Sequence, residues 1–180
     1  MDDAEKIKKY TAEDYYALPE EKKVELINGV LYDMSPSPLR IHQKISGELF
    51  AEIHNYIKKN NGICEVYSAP FDVKLSDDTV VIPDISVICD KNKLTDKGCT
   101  GAPDWIIEIV SNNASHDYIT KLGLYKSYGV KEYWIIDPKK QIVTVYILEN
   151  DFDMTVYNFS DTVPVSIYNA NLKINISELI

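Results

Sequence analysis

Trp105-Ile106-Ile107-Glu108-Ile109-Val110 is the stretch that decides how this chain folds. Apolar residues follow one another without alternation, the pattern of a short strand covered on both faces. Glu108 interrupts that pattern. An unpaired carboxylate taken out of water is costly, so this one must meet a cation, carry a proton or face a cleft. Downstream, Ser115 to Tyr128 reads as a helix and Glu132-Tyr133-Trp134-Ile135-Ile136 as a second strand. A strand, a helix and a strand of this length predict a right-handed parallel crossover. The helix then starts just beyond the carboxyl end of the Glu108 strand, where the sites of α/β proteins lie.

Working outward, Val80 to Cys89 reads as one strand carrying Pro83-Asp84. Proline is a poor central-strand residue, so the chain bends there or runs at an edge. Asp90 to Pro103 reads as a polar loop. Earlier, Ile41, Ile45, Leu49, Ile53 and Ile57 form the apolar stripe of a helix over Leu39 to Lys59, stopped by Asn60-Asn61-Gly62. Strands follow near Ile63–Tyr67 and Phe71–Leu75. Val24 to Ile27 and Val30 to Tyr32 flank Asn28-Gly29, a strong hairpin signal. Thr11 reads as an N-cap with Asp14 completing a capping box, and Pro19 ends that short helix. Residues 1–9 are polar and expected to be loose, and Ser35-Pro36-Ser37-Pro38 breaks the chain. Past the crossover come strands at Ile142–Tyr146 and Met154–Phe159, a turn at Asn150-Asp151, and a short strand with a final turn over Leu172–Ile180. The expected class is α/β, more closely α+β: one domain over residues 1–180, with a mixed central sheet flanked by helices.

A chain of 180 residues suits one sizeable core. The charged start lacks a secretory h-region and no apolar run is long enough for a bilayer, so a cytoplasmic protein with no membrane partner is expected. Cys64, Cys89 and Cys99 show no CxxC spacing, and their odd number argues against a disulfide framework; nor do the histidines complete a zinc pattern. The net charge of -9 counts against a protein that grips DNA mainly through phosphates, but not against an enzyme acting on nucleic acid.

Asp84 and Glu108, on neighbouring strands, would supply the one or two carboxylates that Mg²⁺ or Mn²⁺ takes, with the Ile109 carbonyl as a third oxygen. Asp84 read alone is more simply a solvent-facing turn residue. Asp117, Lys121 and Tyr125 share one helix face. As spacing alone this is a surface ion pair, but the position of the helix favours a role for Lys121. Two carboxylates and a lysine at a sheet edge are the parts of a metal-dependent phosphodiesterase. Glu25, another acid among apolar neighbours, reads either as a further metal or water ligand or as an outward-facing strand residue. His42 reads as a packed or surface histidine. Exposed strands such as Ile142–Tyr146 make a homodimer the expected oligomer.

Several segments occur in a fixed order: Pro83-Asp84, Ala102-Pro103-Asp104-Trp105-Ile106-Ile107-Glu108-Ile109-Val110-Ser111, then Asp117, Lys121 and Tyr125, then Gly129-Val130-Lys131-Glu132-Tyr133-Trp134-Ile135-Ile136-Asp137-Pro138. With Tyr10-Thr11, Glu25-Leu26-Ile27-Asn28-Gly29 and His42, they resemble the Uma-type restriction endonuclease family over nearly the whole chain. The resemblance implies the restriction-endonuclease-like core of the PD-(D/E)xK nucleases. The first acid of that pattern maps to Asp84 and the second to Glu108. The lysine that ordinarily follows two residues later would fall at Val110 and is absent; the family's lysine on the following helix maps to Lys121. Glu25 maps to the extra acid. The implied activity is Mg²⁺- or Mn²⁺-dependent cleavage of nucleic acid, DNA first, leaving a 5′-phosphate. Two rivals remain: the same fold without turnover, serving binding or assembly, and a plain structural domain in which Glu108 pairs with a buried lysine such as Lys121.

Overall fold

The computed structural model describes residues 9–19, 21–34, 38–111, 115–149 and 152–180, with the side chains of 115–119 left aside. The expectations for residues 1–8, for the break at 35–37 and for the turn at 150–151 lie outside the described residues.

Local signals near the start are realised directly. Thr11 and Asp14 close a capping box on α1 (Ala12–Tyr16). Asn28 and Gly29, with φ of 51° and 81°, make the tight turn between β1 (Val24–Ile27) and β2 (Val30–Asp33). The long helix is α2 (Arg40–Lys59), burying Ile45, Leu49, Ile53 and Ile57. Then come β3 (Glu65–Ser68), β4 (Asp72–Ser76), β5 (Thr79–Val81), β6 (Ile85–Ile88), β7 (Leu94–Thr95), β8 (Gly98–Thr100) and β9 (Trp105–Ile109). The crossover helix is α3 (Ser115–Tyr128), followed by β10 (Glu132–Asp137), β11 (Ile142–Ile147) and β12 (Asp153–Asn158). A pair of two-residue strands, Val163–Pro164 and Lys173–Ile174, precedes the final helical turn, α4 (Ile176–Leu179).

The larger strands form two mixed sheets, in the orders β2-β1-β5-β4-β8-β7 and β12-β11-β10-β9-β6-β3. The α+β class expected from the sequence is the one observed. In the second sheet β9 and β10 run parallel across α3, as the crossover requires. Side chains of β9 alternate between two cores. Trp105, Ile107 and Ile109 pack with the α2 stripe, whereas Ile106 packs with Leu124 and Tyr125 of α3 and with Val73 and Val81 of the first sheet. That is why this strand reads as apolar throughout, and it turns Glu108 towards α3 and the first sheet.

Four expectations need correction. Val80 to Cys89 is not one strand: it breaks at Ile82-Pro83-Asp84 into β5 and β6, which belong to different sheets. Pro83 lacks the N–H a ladder needs, so the chain changes sheet at the predicted bend. The supposed loop over 90–103 contains β7 and β8. Its polar composition hid a parallel pairing of β8 with β4, made possible by Gly98: any Cβ there would lie 2.1 Å from the Asp72 carbonyl oxygen. Cys64 and Cys89 form a disulfide. The antiparallel register of β3 on β6, Glu65 opposite Ile88, brings the two cysteines together at the ladder's end, a proximity that counting cysteines does not reveal; Cys99 stays a buried thiol. Finally, Ile142–Tyr146 is not an exposed strand, its side chains being buried or half-buried. β11 is hydrogen-bonded on both sides, and the exposed edge is β12, with Phe152, Met154 and Val156 near it in solvent. Among the described residues no helix is long and apolar enough to cross a membrane.

Candidate active site

The end of β9 gathers acids from three separate segments. β6 runs antiparallel to β9 with Ile85 opposite Ile107, so Asp84 falls beside Glu108 and Ile109. Asp84 Oδ2 accepts the Ile109 N–H at 2.7 Å and lies 3.2 Å from His42 Nε2, in the first turn of α2. Burial pulls the His42 pKa down, but the Asp84 hydrogen bond and the Asp84 and Glu108 charges outweigh it and raise it above its ordinary value. The Asp84 side chain is 20% exposed, so the cluster opens to solvent here.

Glu108 is the buried end of the cluster. Its Oε1 accepts from Lys121 Nζ at 3.1 Å and from the Tyr125 hydroxyl at 2.9 Å. Burial pushes its pKa up to about 7; Lys121 pulls it back, and the Asp84 and Glu25 charges push further upward. Lys121 itself is only 4% exposed. Its Nζ also reaches Glu25, lying 3.0 Å from both carboxylate oxygens. Glu25 is held in turn by the Ile82 N–H, donated to Oε1 at 2.8 Å. Because Glu25 stands on β1 and Glu108 on β9, this one ammonium links the two sheets.

The four acid and lysine side chains singled out in the sequence, Asp84, Glu108, Lys121 and Glu25, thus meet in one place, with the Ile109 backbone beside Asp84. Glu25 is not outward-facing but 6% exposed, and Lys121 is not a surface residue. The Asp117 side chain lies outside the described residues. Two contributors were not given site roles. His42 fitted the family resemblance but read as a packed or surface histidine, since only the α2 docking brings it to Asp84. The Tyr125 hydroxyl was foreshadowed by its spacing of one turn from Lys121. Two further buried acids, Asp104 and Glu132, also went unremarked.

Among the described residues no three His, Cys, Asp or Glu side chains form a closed metal cage. The donor set nevertheless fits a hard divalent cation. Asp84 Oδ1 and Glu108 Oε2 accept no hydrogen bond among the described residues, while their other oxygens are fixed by protein donors. One such oxygen on each of two neighbouring carboxylates, Asp84 being the one open to solvent, suits Mg²⁺ or Mn²⁺ when water fills its other positions.

The family model described as "Putative restriction endonuclease" (Uma2) matches residues 12–176. A solved structure described as "a putative nuclease belonging to DUF820", from Anabaena variabilis, is 29% identical, with a TM-score of 0.76 over 94% of this chain and 96% of that one. No curated protein matches.

Proposed function

The chain belongs to the Uma2 restriction endonuclease family, and from that membership we propose that it is a metal-dependent nuclease hydrolysing phosphodiester bonds in nucleic acid, DNA being the first substrate to test. The observation that carries this reading is a pair of neighbouring carboxylates, Asp84 and Glu108, each with one oxygen that accepts no hydrogen bond among the described residues, beside a buried lysine. Asp84, Glu108 and the Ile109 carbonyl would hold Mg²⁺ or Mn²⁺, with Glu25 as an additional acid nearby. The bound cation would supply charge to offset the phosphate and would acidify the attacking water.

The protein's own groups do the positioning. The Ile109 N–H and His42 both hold Asp84 by Oδ2. Lys121, clamped between Glu25 and Glu108, has an ammonium whose place is fixed by two carboxylates. From there it orients the water and offsets the charge that develops on the phosphate oxygens. Water attacks phosphorus in line, the bond to the 3′-oxygen breaks, and that oxygen takes up a proton. The products are a 5′-phosphate and a 3′-hydroxyl.

Lys121 supports this reading over the turnover-free alternative, because it brings to the site from α3 the cation that Val110 does not provide. The alternative keeps some support from that same Val110 and from the net charge of -9. The test is incubation of purified protein with Mn²⁺ or Mg²⁺ and single- and double-stranded DNA and RNA. Cleavage leaving 5′-phosphates, reduced at least 100-fold in Asp84→Asn, Glu108→Gln and Lys121→Met, is the expected result. Metal binding without cleavage of any substrate would establish the turnover-free module instead.

A further inference from the structure

Glu25 and Glu108 meet the same ammonium differently. Both oxygens of Glu25 lie 3.0 Å from Lys121 Nζ. With Glu108, the contact among the described residues is through Oε1, at 3.1 Å. Lysine does not by itself impose this choice, because its ammonium is a compact point donor on a flexible stem and bridges two oxygens as readily as it meets one. What differs at Glu108 is a second donor. The Tyr125 hydroxyl reaches the same Oε1 at 2.9 Å. It arrives from a fixed direction, since the Tyr125 ring is fully buried and stands edge-on to Tyr133, with centroids 4.9 Å apart and planes at 76°. Tyr125 follows Lys121 by one helical turn, so both donors descend from one face of α3 onto one oxygen.

We propose that Tyr125 is a positioning residue for Glu108, its hydroxyl holding Oε1 against Lys121 so that Oε2 would remain available to a divalent cation. This rests on the nuclease reading of the site. Without the hydroxyl, the carboxylate swings to bridge Lys121 with both oxygens, as Glu25 does, and Oε2 is withdrawn. The role belongs to the oxygen atom of Tyr125, not to its ring. Partners that orient metal ligands in this way commonly govern metal affinity by about 10- to 100-fold.

The experiment is Mn²⁺ titration of the full chain, read by electron paramagnetic resonance of the free ion and paired with thermal melting, for wild type, Tyr125→Phe and Leu124→Ala. Phenylalanine keeps the ring and its Tyr133 contact. Leu124→Ala loosens the same helix without touching Glu108. The expected result is Mn²⁺ binding about 10- to 100-fold weaker in Tyr125→Phe with little change in melting temperature. Leu124→Ala should melt lower yet bind Mn²⁺ as wild type does. Wild-type affinity in Tyr125→Phe overturns the proposal. Equal loss in both variants overturns it too, since helix packing would then be the cause. A wild type that binds no Mn²⁺ overturns the nuclease reading itself and takes this inference with it, so the wild-type titration tells the two failures apart.

Discussion

Glu108 and Glu132 are buried acids on adjacent parallel strands, and they stand on opposite faces of the same sheet. Glu132 points with Trp134 and Ile136 into the α2 core, while Glu108 points with Ile106 towards α3. Glu132 is wholly buried, and both its oxygens are used: Oε1 accepts the Trp134 indole N–H at 2.7 Å and Oε2 the Ile167 N–H at 2.9 Å. Burial raises its pKa, and those hydrogen bonds draw it partly back. Every donor to it is neutral and no oxygen is left over. It ties the 3₁₀ turn at Ser166–Tyr168 to β10 and has nothing further to offer a ligand. Glu108 has charged company and, among the described residues, one oxygen without a hydrogen bond. A buried acid is therefore not in itself a sign of chemistry. The sign is an acid whose partners leave it unfinished and whose cation is shared with a second acid.

The sharpest contrast comes from removing a partner on each side. Lys121→Met takes the one cation from between Glu25 and Glu108 and leaves two buried carboxylates facing each other. Breaking such a pair costs about 3–5 kcal/mol. Urea unfolding at pH 8 should show a loss of that size, shrinking at pH 5 as Glu108 takes up a proton. A loss under about 1 kcal/mol at pH 8, the scale of an exposed ion pair, would mean that Lys121 does not hold the two acids together, and the contrast with Glu132 would vanish. Glu132→Ala comes next. It orphans the Trp134 indole and the Ile167 N–H, at a cost of about 2–3 kcal/mol. Its Mn²⁺ affinity should equal that of wild type, because nothing around Glu132 reaches Asp84 or Glu108. Weaker Mn²⁺ binding in a Glu132→Ala protein that still folds would show the two acids to be coupled through the sheet.

How much of this was legible beforehand follows from which forces are local. The Asn28-Gly29 turn, the Thr11 cap and the α2 stripe depend on neighbours within a few residues, and the sequence displays them openly. Glu108 was legible because an acid in an unbroken apolar run has few physical explanations. Lys121 and Asp84 were legible in part, through their positions near the ends of predicted elements. The rest depended on which strands become neighbours. The Cys64–Cys89 bond needs the β3–β6 register, and β8 needs a close approach that only Gly98 allows. His42 meets Asp84 only because α2 docks where it does. Glu132 opens its strand at a polar boundary, so its complete burial became visible only once residues 163–174 were seen to fold over it.

The smallest predicted effect is the one that most directly separates the two acids. The folded-state pKa of Glu108 is raised to about 7 from an ordinary 4.5. The folded protein therefore holds this proton more tightly than the unfolded chain does. The contribution of Glu108 to stability is full below the unfolded value and is lost as pH rises through about 7. Glu108→Gln removes the titrating group. In metal-free protein, the difference between variant and wild type should move in the variant's favour between pH 5 and pH 8 by about 1 kcal/mol, the scale on which a neutral isostere relieves a buried charge. Urea midpoints at the two pH values measure it. A Glu108→Gln protein that loses stability relative to wild type as pH rises would place Glu108 in a satisfied ion pair with Lys121, as closed as Glu132. The free oxygen would then carry no metal, and the site would be a structural joint between the two sheets.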